Sequence, residues 1–253
     1  MDLQLAGLRA LVTGGTKGIG RAIVESLAAE GVAVALCART ESDVKATVQA
    51  LEDSGARAVG EVLDVADGPA LVSWVGRAAE ELGGLDIVVP NVSALAIGPE
   101  EDKWRSSFEV DLMHTVRVVD AAMPHLERSR AGSVIVVASV SGREIDFAAA
   151  AYGTAKAALI HYTQGLAYQL AGNGIRANSV SPGNIFFPGG IWSQVKVNNP
   201  ELYTSSLALN PTGRMGTPEE VAYAVTMLAS PRASFITGTN LVADGALTRG
   251  VQF

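Results

Sequence analysis

Apolar residues recur along this chain in short continuous runs. Between the runs lie longer stretches in which they return every third or fourth position. The runs are Leu8–Thr13, Val32–Ala38, Ala58–Val65, Leu85–Val89 and Ser133–Val137, and Gly174–Ser181 and Thr239–Asp244 read as two more. A short run that is apolar at nearly every position fits a strand covered on both faces. The stretches between them read as helices. Ile23 and Leu27 share a helical face that ends at Gly31, and Thr40–Ser54 is a helix for which Gly55 suits the C-terminal cap. Buried strands alternating with amphipathic helices predict an α/β fold. We expect one doubly wound domain over residues 1–253, with a parallel sheet of about seven strands and helices on both faces. No repeat, low-complexity block or Pro/Ser-rich linker interrupts the pattern.

Composition narrows the partners. Of 253 residues, 48% are hydrophobic and 18% charged, so a large core is expected and disorder is not. The net charge of −7 argues against nucleic acid or an anionic membrane surface as the main partner. No apolar run approaches the roughly 18 residues of a membrane span, and the N-terminus, with Asp2 and Gln4, lacks a leader-like pattern. A lone cysteine, Cys37, lies in an apolar run and excludes an intrachain disulfide. These features suggest a soluble, cytoplasmic protein. His114, His125 and His161 show no ligand spacing, so no metal site is expected.

The first run meets Gly14-Gly15-Thr16-Lys17-Gly18-Ile19-Gly20 and then a helix. Strand, glycine-rich turn and helix start together form an anion site. Backbone N–H groups point at a phosphate, and Gly14, Gly18 and Gly20 let the chain approach it closely. The spacing G-x-x-x-G-x-G is not that of a P-loop. In dinucleotide sites an acid about 20 residues on selects NAD, and an Arg there accommodates the 2′-phosphate of NADP. The second run ends Cys37-Ala38-Arg39-Thr40, with no acid. Arg39, with Lys17 in the turn, favours NADP(H) over NAD(H). Asp64 is placed to hold the adenine amino group or to form a turn.

The stretch Ala148–Ala158 reads AAAAYGTAKAA. On a helix, Tyr152 and Lys156 sit one turn apart on one face, among small neighbours. The ammonium favours the phenolate and makes the hydroxyl a usable proton donor or acceptor near neutral pH.

Taken together, these motifs resemble the short-chain dehydrogenase/reductase family over essentially the whole chain, with a 3-oxoacyl-ACP-reductase-like branch as one option. Thr13–Gly20 matches TGxxxGxG, and Leu63-Asp64-Val65 matches the adenine-contact segment. Ser139 precedes Tyr152-x-x-x-Lys156 as the family's catalytic Ser does. Asn178–Gly183 matches the segment before the nicotinamide pocket, and Thr237-Gly238 with Asp244-Gly245 matches the family ending. The resemblance implies that Ser139 bonds the substrate oxygen, Tyr152 moves the proton, and Lys156 holds the nicotinamide ribose. It also implies a Rossmann fold and a cofactor site of Gly14, Thr16, Lys17, Gly18, Ile19, Gly20, Arg39, Asp64, Val65, Asn91, Ser93, Tyr152, Lys156, Pro182, Gly183 and Ile185.

Three departures stand out. The family's Asn-Ala-Gly is Asn91-Val92-Ser93, the tetrad Asn is replaced by Asp111, and the Thr that holds the carboxamide is replaced by Phe187. Near Lys156, an anionic Asp111 would partly oppose the effect of the ammonium on Tyr152; alternatively it points into solvent or pairs with another base such as Arg105 or Arg117. Phe186–Trp192 suggests either a loop folded onto the core or, as the resemblance implies, a loop at the head of a mobile substrate lid around 186–211 with an apolar or aromatic substrate end. Family members commonly form tetramers, so a homo-oligomer, tetramer or dimer, is expected. The reading is an NADP(H)-dependent oxidoreductase interconverting a carbonyl and an alcohol. Its rivals are an NAD-linked alcohol or polyol dehydrogenase, a nucleotide-binding regulator without catalysis, and a purely structural module.

Overall fold

A computed structural model describes residues 2–250. Seven strands form one sheet: β1 (Arg9–Thr13), β2 (Ala33–Ala38), β3 (Ala58–Val62), β4 (Ile87–Val89), β5 (Ser133–Val137), β6 (Arg176–Pro182) and β7 (Asn240–Ala243). Their order is β3-β2-β1-β4-β5-β6-β7, and every pairing is parallel. The helices are α1 (Gly18–Ala29), α2 (Glu41–Asp53), α3 (Gly68–Leu82), α4 (Glu101–Ser106), α5 (His114–Leu126), α6 (Ala151–Leu170), α7 (Ile191–Asn198), α8 (Pro200–Leu209) and α9 (Pro218–Ala229).

The alternation along each strand explains why the runs are apolar throughout. Ala10 and Val12 of β1 pack with α1 and α9 on one face, while Leu11 packs with α3 and α5 on the other. Val34 and Leu36 of β2 join the first core, and Ala35 and Cys37 the second. A parallel strand so covered has no solvated face to make polar.

Helix ends follow their sequences. Asp67 caps α3 by accepting the Ala70 N–H at 3.0 Å, and Gly83 ends that helix in the left-handed region. Gly55 closes α2, as expected, through its N–H to the Glu52 carbonyl at 2.8 Å.

Boundaries differ from the sequence reading in two informative places. β3 stops at Val62, not Val65. Leu63 and Val65 are buried against α3, so the run stays apolar after pairing has ended. Ala148–Ala150 form a turn, and α6 begins only at Ala151.

The strand order reverses between β1 and β4, which opens a crevice beyond their C-terminal ends. α4 runs into α5 through π-helical turns at Ser107–Met113, a distortion that often marks functional positions. Among the described residues, no helix is long and apolar enough to cross a membrane.

Candidate active site

β1 delivers Thr13 to the mouth of the crevice, where the chain turns through Gly14–Lys17 into α1. Lys17 caps α1 with extended backbone and no side-chain hydrogen bond. The first amides of α1 therefore have no acceptor among the described residues, and they form a positive end for an anion. Gly20 is required by close approach, because a Cβ there would collide with the Gly14 carbonyl and the Asn91 side chain. Asn91 uses that gap. Its Nδ2 donates to the carbonyls of Thr13 at 3.0 Å and Gly14 at 3.4 Å, and its backbone N–H donates to Thr13 Oγ1 at 3.0 Å.

The Thr13 hydroxyl continues the network to His114 Nε2 at 2.9 Å, while His114 Nδ1 lies 2.9 Å from the Val110 carbonyl. A carbonyl only accepts, so Nδ1 carries the proton and Nε2 accepts from Thr13. Burial pushes the His114 imidazole down to about 4, which keeps it neutral. This network ties the ends of β1 and β4 to the π turns.

β5 delivers Ser139, which starts the short turn Val140–Gly142. Its Oγ accepts the Ser141 N–H at 3.2 Å and keeps its own proton to donate. A Cβ on Gly142 would strike the backbone of Lys156 and Ala157, and one on Gly153 would strike the Ser141 carbonyl. The Ser139 turn and α6 thus meet backbone against backbone, which sets Ser139 beside the face carrying Tyr152 and Lys156. Tyr152 lines the cleft, and its hydroxyl has no partner among the described residues. The Lys156 side chain is 2% exposed. Its Nζ donates to the Val137 carbonyl at 3.2 Å, lies 5.6 Å from the centroid of the Tyr152 ring, and sits 3.1 Å from Asp111 Oδ1.

These groups open onto one cleft of about 620 Å³. Every site residue expected from sequence lines it except Gly18 and Asp111. Gly18, at φ +52°, lies beneath the ring of Phe187, which leaves no room for a Cβ. Asp111 is fully buried behind Lys156 and meets the cleft through it and through the Ala94 N–H. It pairs with neither Arg105 nor Arg117, which bind Glu101 and Glu109.

At the β2 end, Arg39 is exposed and has no partner among the described residues. Lys17 is less free, because its Nζ pairs with Asp43 Oδ2 at 2.7 Å. Asp64 accepts the Ala66 N–H at 3.0 Å, so it forms the turn and still faces the cleft. Beyond β6, the Phe186 N–H and Asn184 carbonyl pair with Gly216, both at 2.9 Å. That pattern leaves the N–H and carbonyl of Ile185 without partners among the described residues, on the cleft side.

A family model described as Enoyl-(Acyl carrier protein) reductase matches residues 14–248. The chain belongs to the short-chain dehydrogenase/reductase family. It is 42% identical to the isoepoxydon dehydrogenase patN of Penicillium expansum, with 98% of each chain covered. It is 35% identical to the 3-oxoacyl-[acyl-carrier-protein] reductase FabG of Vibrio cholerae, over 97% of this chain and 99% of that one. Among solved structures, a short-chain dehydrogenase from Burkholderia cenocepacia in complex with NADP matches with a TM-score of 0.88 and 32% identity, covering 96% and 99%. A 7α-hydroxysteroid dehydrogenase complexed with NADH and 7-oxo glycochenodeoxycholic acid matches with a TM-score of 0.90 and 25% identity, covering 97% and 96%. The protein is an NAD(P)-dependent oxidoreductase.

Apolar side chains line part of the cleft. Ile191, Trp192 and Phe187, the last over Gly18, are among them. Phe186 is not. It turns outward, edge-on to Tyr203 at 6.1 Å and beneath Lys196. Ile191 and Trp192 belong to the first turn of α7 rather than to a loop. Leu95, Ile97 and Phe147, which also line the cleft, escaped sequence reading, and Phe147 meets Trp192 edge-to-face at 5.7 Å. The His114–Thr13 contact escaped it too, because nothing local in the sequence links positions so far apart.

Proposed function

We propose that the protein is an NADP(H)-dependent oxidoreductase that interconverts a carbonyl and a secondary alcohol, with Tyr152 as proton donor and acceptor. The observation that carries this reading is the free Tyr152 hydroxyl beside the buried Lys156 ammonium and Ser139, at the mouth of a cleft that also holds the glycine turn. The residues fit a dinucleotide. The unpaired amides of α1 suit the pyrophosphate, the Ile185 peptide groups suit the carboxamide in place of a Thr hydroxyl, and Asp64 with Val65 suits the adenine. Arg39, unpaired and next to Ala38 where NAD enzymes carry an acid, supports NADP(H).

When bound, the coenzyme supplies or accepts the hydride. Tyr152 gives its proton to the nascent alkoxide in reduction and takes it from the alcohol in oxidation. The Ser139 hydroxyl donates to the same oxygen, so charge developing there meets donors already in place. Lys156 has three N–H bonds. One goes to Val137 and one faces Asp111, which leaves the third for a ribose hydroxyl. The wall of Leu95, Ile97, Phe147 and Trp192 supports a substrate with a compact apolar part.

A homo-oligomer fits two exposed apolar faces. Phe235, Ile236 and Tyr223 flank the edge strand β7, and Trp104 and Phe108 project from α4 and the π turns. The single buried Cys37 is in keeping with a cytoplasmic setting.

The test is a panel of apolar ketones, alcohols and small polyols, followed at the nicotinamide absorbance with NADP(H) and NAD(H). Turnover of an apolar carbonyl or alcohol that Tyr152→Phe abolishes is the expected result. Near-normal turnover by that variant would sink the assignment, and better turnover of polyols would sink the apolar substrate.

A further inference from the structure

The Lys156–Asp111 pair is unusual for its place. The two side chains are 2% and 0% exposed, so the pair has almost no water to screen it. The Asp111 carboxylate is hydrogen-bonded through one oxygen. Its Oδ2 accepts the Ala94 N–H at 3.2 Å, and its Oδ1 has only the ammonium, 3.1 Å away, as a neighbour of opposite charge. The π turns aim this carboxylate inward, while Glu109 of the same turns points to Arg117.

We propose that Asp111 is a positioning residue whose negative charge offsets that of Lys156 and thereby favours the oxidised coenzyme over the reduced one. This inference rests on the function proposed above.

The charged and titratable groups around the pair support it. On α6, only Tyr152 and Lys156 face the cleft at this point. On α5, His114 is buried and neutral, and Arg117 is engaged by Glu109. From the Ser139 side, Asp146 accepts the Ser141 hydroxyl at 2.6 Å, and Glu144 accepts the N–H groups of Arg249 and Gly250. β1 contributes Thr13 and β5 a carbonyl, neither of them charged. Asp111 is therefore the one anion paired with Lys156 among the described residues.

The sign follows from the charges. The Lys156 ammonium repels the positive charge of an oxidised nicotinamide, and the carboxylate behind it relieves that repulsion. A neutral side chain at 111 would restore it.

Asp111→Asn keeps the shape and an acceptor for the Ala94 N–H. One measurement reads the result: the Kd of NADP⁺ and NADPH from protein fluorescence without substrate, at matched ionic strength. The ratio of Kd for NADP⁺ to that for NADPH should rise roughly threefold to tenfold. A ratio that stays the same or falls overturns the proposal. If the amide variant does not accumulate as folded protein, Asp111→Ser carries the same expectations. A wild type that turns over no alcohol or carbonyl would instead fail the proposed function, and an active wild type with unmoved variants fails only this inference.

Discussion

Two aspartates pair with cations at opposite ends of the sheet, and they are built differently. At the N-terminal ends of β1 and β4, Asp86 is saturated. Oδ2 accepts from Arg9 Nε at 2.7 Å and from the Arg9 backbone at 2.9 Å, while Oδ1 accepts from Arg9 Nη2 at 2.9 Å and Ser129 Oγ at 2.5 Å. Burial pushes this carboxyl up, but the hydrogen bonds and charge of Arg9, with the Ser129 hydroxyl, outweigh it and hold it below its ordinary value. At the C-terminal ends, Asp111 has one backbone hydrogen bond and one ion-pair contact, and Lys156 keeps a donor in reserve. A saturated pair is a clamp with nothing left to offer. An unsaturated buried pair is costly to keep and has capacity for a ligand.

The comparison predicts where damage falls. Tyr152→Phe, at the unsaturated end, should cut turnover by roughly two to four orders of magnitude and leave the melting temperature and coenzyme binding nearly unchanged. Asp86→Ala should do the reverse. It strands a partly exposed guanidinium and a hydroxyl, at a cost of about 2–3 kcal/mol in urea unfolding, with kcat of the folded enzyme preserved. The depressed carboxyl stabilises the fold above the ordinary carboxylate range, and that stability drains away as pH falls through its folded value. Loss of activity without loss of stability in Asp86→Ala would break the comparison.

Smaller effects sharpen it within the coenzyme site. Arg39, unpaired, behaves as reserve capacity. Arg39→Ala should weaken NADPH about tenfold to a hundredfold and NADH little, as for one charge-assisted phosphate contact of roughly 1.5–3 kcal/mol. Equal losses for both coenzymes would mean that Arg39 never meets the 2′-phosphate. Lys17, already paired, should matter less. Asp43→Asn releases it, and the preference for NADPH over NADH, measured by titration, should rise by about twofold to fivefold.

Much of this was legible in the sequence, for physical reasons. β5 runs over the residues its apolar run predicts, because all five of its positions are buried. β3 was overrun because burial continues past pairing at Leu63 and Val65, and composition records burial rather than hydrogen bonds. The glycine turn and the Tyr152–Lys156 pair in the cleft were legible because they carry local geometry, and further lining residues such as Asn91, Pro182 and Ile185 came from the family resemblance. Phe186 was misread. Adjacent aromatics in one apolar stretch give no sign that one turns to the cleft and its neighbour to Tyr203. Phe147 and His114 were unread because their partners, Trp192 and Thr13, lie far off in sequence.

The crossing of Gly20 and Asn91 bears on how such a chain can drift. A side chain at position 20 would meet the Gly14 carbonyl first and the Asn91 amide second, so the backbone of the turn itself holds position 20 to glycine. A library randomised at 20 will return glycine whether or not Asn91 is kept. Truncating Asn91 removes only the second collision and gives up the amide bonds to the Thr13 and Gly14 carbonyls, while the backbone N–H of residue 91 keeps Thr13 Oγ1. Along a lineage, position 91 can drift at a cost and position 20 cannot drift at all.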